Sequence, residues 1–163
     1  MKKISLVSGG FDPLHSGHIA LFDSAKSLGD KLIVALNSDD WLLRKKEKPF
    51  MSFYERKQII ERLDMVDSVW GFNDSDGTVK HALNMAKRLY PNFEIIFCNG
   101  GDRTPANIPE IDVKGINFVF GVGGDNKKNS SSSLLKNWKY SKSEKSWGVF
   151  YDLFKEDHIK VKQ

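Results

Sequence analysis

At 163 residues the chain has the length of one ordinary domain with a buried core. Apolar residues make up 40% and charged residues 28%, as in soluble globular proteins, and no stretch approaches the roughly 18 consecutive apolar residues of a membrane helix. The basic start Met1-Lys-Lys is followed by too short an apolar run for a secretory signal, and the lone Cys98, inside an apolar run, reads as a buried small hydrophobe. A reducing cytoplasm is the expected setting. The net charge of +4 favours acidic partners.

In chain order, short apolar runs alternate with segments of helical periodicity, the pattern of βαβ units around a parallel sheet. The runs are Ile4 to Val7, Leu32 to Leu36, Val66 to Trp70, Phe93 to Cys98 and Ile116 to Val122. Their near-continuous apolar character is that of strands covered on both faces. The spacing of Leu21, Ala25 and Leu28 predicts a helix from near Ser16, with Gly29 at its C-cap. Ser52-Phe-Tyr-Glu55 is a capping box, opening a helix expected to bury Ile59, Ile60 and Leu63. Val79, Ala82, Leu83, Ala86 and Leu89 mark a further helix that Pro91 ends. A last helix starts in the serine run and carries Leu134, Leu135 and Trp138. Residues 1–138 are therefore expected to form the main domain, 139–146 a polar, basic linker, and 147–163 a β-hairpin extension.

The segment from Ser8 to His18 joins the first strand to the first helix, the junction where doubly wound sheets bind phosphates on main-chain N–H groups and a helix N-terminus. Gly9, Gly10 and Gly17 let the main chain approach a ligand closely. His15 and His18 share one face of a first helical turn and can donate hydrogen bonds to phosphate oxygens. Phosphoryl-type transfer asks for such positioning and charge stabilisation more than for covalent help. A zinc pair or a plain helix cap is the alternative, but neither His81 nor His158 sits beside a cysteine or carboxylate cluster that would complete a zinc site. The basic run Arg44, Lys45, Lys46, Lys48 is a solvated face, a nucleic-acid patch or a contact for a phosphate-rich substrate.

Gly9-Gly-Phe-Asp-Pro-Leu-His-Ser-Gly-His18 resembles the G-x-F-D-x-x-H-x-G-H signature of the cytidylyltransferase-like nucleotidyltransferases, and further blocks in the same order extend the likeness over roughly residues 3 to 138. The resemblance implies a Rossmann-like, doubly wound, five-stranded parallel sheet of the HUP type. The implied reaction moves a nucleoside monophosphate from CTP or ATP to a phosphorylated sugar or polyol and releases pyrophosphate; Mg²⁺ accompanies the triphosphate, and homodimers are common. By resemblance, Gly10, Phe11 and Asp12 line the nucleotide site, and His15 and His18 stabilise the transition state at the α-phosphorus. The family's phosphate-reaching lysine aligns with Lys45 in the glycerol-3-phosphate type and with Lys46 in the heptose-phosphate type, while Glu47 stands where the former carries a second lysine. Arg56 is a candidate phosphate or acceptor contact, a helix salt bridge or a subunit contact.

Asn99-Gly-Gly-Asp102 resembles the K-G-G-D block of the heptose type with Asn99 for the lysine, and Gly101 and Asp102 join the candidate nucleotide-binding residues. Ser130, Ser131 and Ser132 match the family's S-T-T block at the triphosphate, with Lys127 and Lys128 near the place of a preceding arginine. Lys139-Tyr-Ser-Lys-Ser143 resembles the K-M-S-K-S loop of tRNA synthetases, but it follows the last helix instead of preceding it. The tail from Trp147 weakly resembles the opening strands of sugar-phosphate isomerase cupins. Two other readings stand beside the enzyme: a catalytically impaired nucleotide-binding regulatory module, motivated by Glu47 and Asn99, and the less favoured nucleic-acid binding through the basic run.

Overall fold

The computed structural model describes residues 1–124 and 130–140. Strands β1 (Lys3–Gly9), β2 (Lys31–Leu36), β3 (Ser68–Gly71), β4 (Glu94–Cys98) and β5 (Ile116–Val119) form one sheet in the order β3-β2-β1-β4-β5. Every pairing is parallel, with Val7 beside Val34 and Ile4 beside Ile95. The helices are α1 (Ser16–Leu28), α2 (Asp39–Lys45), α3 (Phe53–Glu61), α4 (Lys80–Leu89) and α5 (Ser131–Tyr140), and a 3-10 turn spans Pro109–Asp112. The compact unit that carries the sheet is Met1–Ser131, and a second unit begins at Ser132.

Alternation of side chains along the strands builds two apolar layers. On one face Val7, Val34, Leu36, Ile96 and Cys98 pack with Phe22 and Ala25 of α1 and Ile60 of α3. On the other, Ile4, Leu6, Ile33, Ala35, Ile95 and Phe97 pack with Ala82, Leu83 and Ala86 of α4. Helices on both faces make the sheet doubly wound, and the strand order reverses between β1 and β4. The crevice at the carboxyl ends of those two strands is where such sheets take their ligands.

Several expectations need correction. Ile59, Leu28 and Leu89 are exposed, and in α3 the position expected of Ile59 is taken by Arg56, which is buried with Ile60. Gly29 does end α1, its N–H reaching Lys26 O at 3.2 Å, but in extended backbone; glycine is required there because a Cβ would lie 2.6 Å from Ser5 Oγ and 2.9 Å from Ser5 N. The basic run straddles a helix end: Arg44 and Lys45 belong to α2, and Lys46 is its C-cap. β5 stops at Val119, and the next residues fold back against α1: Gly123 adopts φ +87°, and a Cβ there would stand 3.1 Å from Leu21 Cα. In α5, Leu134 and Leu135 are half-buried and Trp138 is exposed. Lys127, Lys128, the synthetase-like segment beyond Tyr140 and the expected hairpin over 147–163 lie outside the described residues.

Candidate functional site

The loop from Gly10 to His15 leaves β1 at the switch point and enters α1. His15 is the N-cap: its Nδ1 accepts the Gly17 N–H at 3.0 Å, and His18 Nδ1 accepts the His15 N–H at 3.2 Å. A ring nitrogen that accepts carries no proton, so each neutral imidazole bears its proton on Nε2 and is a donor there. The rings stack with centroids 3.6 Å apart and planes inclined by 22°, so the two donors stand together at the N-terminal end of a 13-residue helix. A helix N-terminus favours anions.

Phe11 explains how this geometry is held. Its φ of 49° lies in the left-handed region, which costs a bulky L-residue on the order of 1–3 kcal/mol. The ring is buried edge-on against His18 and against Phe22, each with centroids 4.9 Å away. Gly9 must be glycine because a Cβ would meet the Phe11 ring at 2.9 Å, and Gly10 because it would meet Leu42 Cδ2 at 2.7 Å and Trp41 Cζ3 at 3.3 Å. Helix α2 therefore rests directly on the first loop.

Asp12 is fully engaged within the protein. Buried at the head of a cis bond to Pro13, its carboxylate accepts the N–H groups of Phe50 (2.6 Å) and Met51 (2.7 Å) and pairs with Lys46 Nζ at 2.7 Å. Lys46 Nζ also donates to Asp12 O at 2.7 Å. Lys45 instead stands over the Trp41 ring, 4.5 Å from its centroid. Arg56 is equally committed: Nε donates to Met51 O (3.0 Å), Nη1 to Gly10 O (2.9 Å) and Asn37 O (2.8 Å), and Nη2 to Asp39 Oδ1 (2.8 Å). Its guanidinium joins three loops at the carboxyl edge, and this geometry favours that bracing over the contact with a ligand phosphate expected from sequence.

Sequence reasoning missed α2 and the residue that anchors it. Ser38 caps α2, its Oγ accepting the Trp41 N–H at 3.1 Å, and Asp74 in the loop after β3 holds Ser38 and Asn37. The Ser-Asp-Asp start was the available signal for the helix. Nothing local marks Asp74, which looks like one more polar loop residue.

Across the switch point, Asn99 follows β4 and is 1% exposed; its Nδ2 donates to Phe97 O at 3.2 Å, and its Oδ1 is buried with no partner. Gly101 takes φ +63° with open space beside it, and Asp102 is exposed. Ser131 is brought to the first loop, its Oγ donating to Pro13 O at 2.8 Å, with half-buried Ser130 beside it in the chain. Ser132 belongs to the second unit, in the first turn of α5. Among the described residues, no group of three or more His, Cys, Asp or Glu side chains is arranged to hold a metal ion, and no helix is long and apolar enough to cross a membrane. A groove of about 300 Å³ between the later turns of α1 and residues 119–124 contains none of the expected site residues. Cys98 is no nucleophile: burial pushes its thiol up to about 11.

A doubly wound sheet with paired imidazoles at the helix N-terminus of its first βα turn defines an α/β protein of nucleotide-binding type. Residues 6–146 match the cytidylyltransferase-like family, and the chain belongs to that family. It is 46% identical over 69 residues, 42% of its length and 53% of the relative's, to a glycerol-3-phosphate cytidylyltransferase of Bacillus subtilis strain 168. It is 34% identical over 126 residues to the bifunctional protein HldE of Haemophilus influenzae, covering 76% of this chain and 24% of that protein. The chain thus spans about half or less of these curated relatives. Among solved structures, the fold is shared with a lipopolysaccharide core biosynthesis protein of Thermoplasma volcanium (TM-score 0.57, 22% identity, 79% of this chain and 99% of that one). It is shared also with a bifunctional NMN adenylyltransferase/ADP ribose pyrophosphatase of Francisella tularensis (TM-score 0.61, 21% identity, 88% of this chain and 44% of that one).

Proposed function

We propose that this chain transfers a nucleoside monophosphate from CTP or ATP to a phosphorylated sugar or polyol. A phosphate oxygen of the acceptor attacks the α-phosphorus in line, the bond from that phosphorus to the bridging oxygen breaks, and pyrophosphate leaves. The observation that carries the reading is the stacked His15–His18 pair, each ring turned by a main-chain N–H so that Nε2 is the donor. Those donors, with the positive N-terminal end of α1, meet the negative charge that grows on the phosphate oxygens. The hydroxyls of Ser130 and Ser131 serve the triphosphate, and Gly101 and Asp102 serve the ribose or the acceptor. Mg²⁺ brought by the nucleotide would neutralise charge on its phosphates, and among the described residues no carboxylate cluster is arranged to hold the ion. Names of relatives that act on glycerol-3-phosphate and on NMN support a phosphorylated acceptor.

Of the two lysines we assign Lys45 to the phosphates, because Lys46 neutralises the buried Asp12. Lys45→Ala is expected to lower kcat/KM by about 100-fold, with a fall in melting temperature of only about 1–4 °C from the lost contact with the Trp41 ring. Lys46→Ala leaves Asp12 buried without its cation and is expected to cost on the order of 2–3 kcal/mol, a fall of about 4–12 °C in Tm. Thermal melts beside pyrophosphate release separate the two, and equal effects on Tm would reverse the assignment.

The reaction itself is tested by a pyrophosphate-release screen that crosses the four nucleoside triphosphates with phosphorylated sugars and polyols. A nucleotide-binding module without turnover is the second reading, favoured by Asn99: it stands where the heptose type has a lysine, and it brings no charge. Nucleotide binding by calorimetry with no pyrophosphate from any pair would establish that reading instead.

A further inference from the structure

We propose that Asp74 is a positioning residue for the cationic arm of the site, gripping α2 at both ends so that Lys45 stands at a fixed place over the Trp41 ring. The inference rests on the assignment of Lys45 to the phosphates. Asp74 is 5% exposed and lies in the loop after β3, on the carboxyl edge of the sheet. Its Oδ2 accepts the Ser38 N–H at 2.7 Å and Asn37 Nδ2 at 3.0 Å; its Oδ1 accepts the Ser38 hydroxyl at 2.7 Å. The single proton of that hydroxyl goes to Asp74, which leaves a lone pair of Ser38 Oγ for the Trp41 N–H at 3.1 Å. The carboxylate is thus coupled through one hydroxyl to the first turn of α2.

At the other end of the helix, Arg44 Nη2 donates to the main-chain oxygen of the same Asp74 at 2.8 Å. A 7-residue helix does not persist by its own propensity, so these outside contacts decide where it sits. Where it sits matters to the site in two ways. Trp41 and Leu42 press on Gly10, and Lys45 is carried over the Trp41 ring. Asp74 reaches none of the residues assigned to the reacting phosphates and acts only through α2. Burial alone would raise its carboxyl, but hydrogen bonds from Ser38 and Asn37 and the charge of Arg44 outweigh it and hold the group below the usual carboxylate range. The anchor therefore stays ionised at neutral pH.

A brace that merely kept the fold intact would affect every ligand alike, whereas a positioning residue for the cation affects the phosphate tail. Calorimetry on the full chain should compare a nucleoside triphosphate with the matching monophosphate for Asp74→Asn, Lys45→Ala and the double variant. Asp74→Asn is expected to weaken the triphosphate about tenfold and the monophosphate less than about twofold, and the double variant to bind no more weakly than Lys45→Ala, the signature of two residues acting as a unit. Arg44→Gln, which releases only the far end of α2 and spares the buried carboxylate, should give the same selective loss at about threefold and stands in if Asp74→Asn does not fold. Parallel losses for both nucleotides, or additive losses in the double variant, would overturn the inference while leaving the phosphate role of Lys45 intact. No effect of Lys45→Ala on the triphosphate would overturn that role and this inference together.

Discussion

Replacing His18 by alanine is expected to slow pyrophosphate release by about a hundred- to thousand-fold, the usual consequence of removing one preorganised donor to a transition-state oxyanion. The ring is fixed from three sides: Nδ1 by the His15 N–H, one face by the His15 imidazole, and its edge by Phe11. Alanine deletes the Nε2 donor and one half of the reciprocal cap, but the Gly17 N–H keeps its acceptor on His15. Stability should therefore fall by only about 0.5–2 kcal/mol, the range for a lost helix cap. His15→Ala loses a donor of the same kind together with the N-cap side chain, and should be the less stable of the two variants. Circular dichroism and nucleotide binding by calorimetry show whether the His18→Ala protein is folded and loaded. Turnover within a few-fold of wild type in that folded, loaded variant would remove the imidazole pair from the mechanism.

What the sequence revealed and what it hid follow from the range of the interactions involved. The strands were legible because runs such as Leu32 to Leu36 are apolar on both faces, a pattern that depends on the run alone. The start of α1 was legible from the spacing of Leu21, Ala25 and Leu28, and Ser52 before α3 was read correctly because a helix cap is a local device. Helix α2 went unseen because its charged C-terminal end matched the image of a solvated face, while its anchorage comes from Asp74, distant in sequence. In α3 the periodicity was right and the occupant wrong: positions 56 and 60 face inward, and one of them is arginine. Arginine is exposed in most proteins, and here the carbonyls of Gly10, Asn37 and Met51, contributed by three separate loops, together with the Asp39 carboxylate give it reason to be buried. In the candidate site, the glycines and histidines formed one contiguous signature, whereas the commitment of Asp12 to Lys46 and to the 50–51 main chain needed the third dimension.

Arg56 provides the second large effect, and it distinguishes two roles that sequence alone left open. If Arg56 met a ligand phosphate, its removal would weaken nucleotide binding in a protein of normal stability. The structure instead shows a guanidinium with no exposed surface whose donors satisfy three main-chain carbonyls and one carboxylate. Arg56→Met keeps the length of the stem and removes every donor. Asp39 is 42% exposed and regains water, so the loss comes from the carbonyls, and Gly10 O and Asn37 O lose one shared nitrogen. Breaking such a buried charged cluster from one side costs on the order of 3–5 kcal/mol. Urea titration should register it as a large drop in midpoint with little change in slope. Arg56→Lys is expected to recover less than half, because a single ammonium cannot span acceptors arranged around a planar fork. A lysine variant as stable as wild type would show that charge at this position suffices and that the fork geometry is dispensable. An Arg56→Met protein of normal stability with weakened triphosphate binding would return the residue to the ligand, and the three loops would then need another tie.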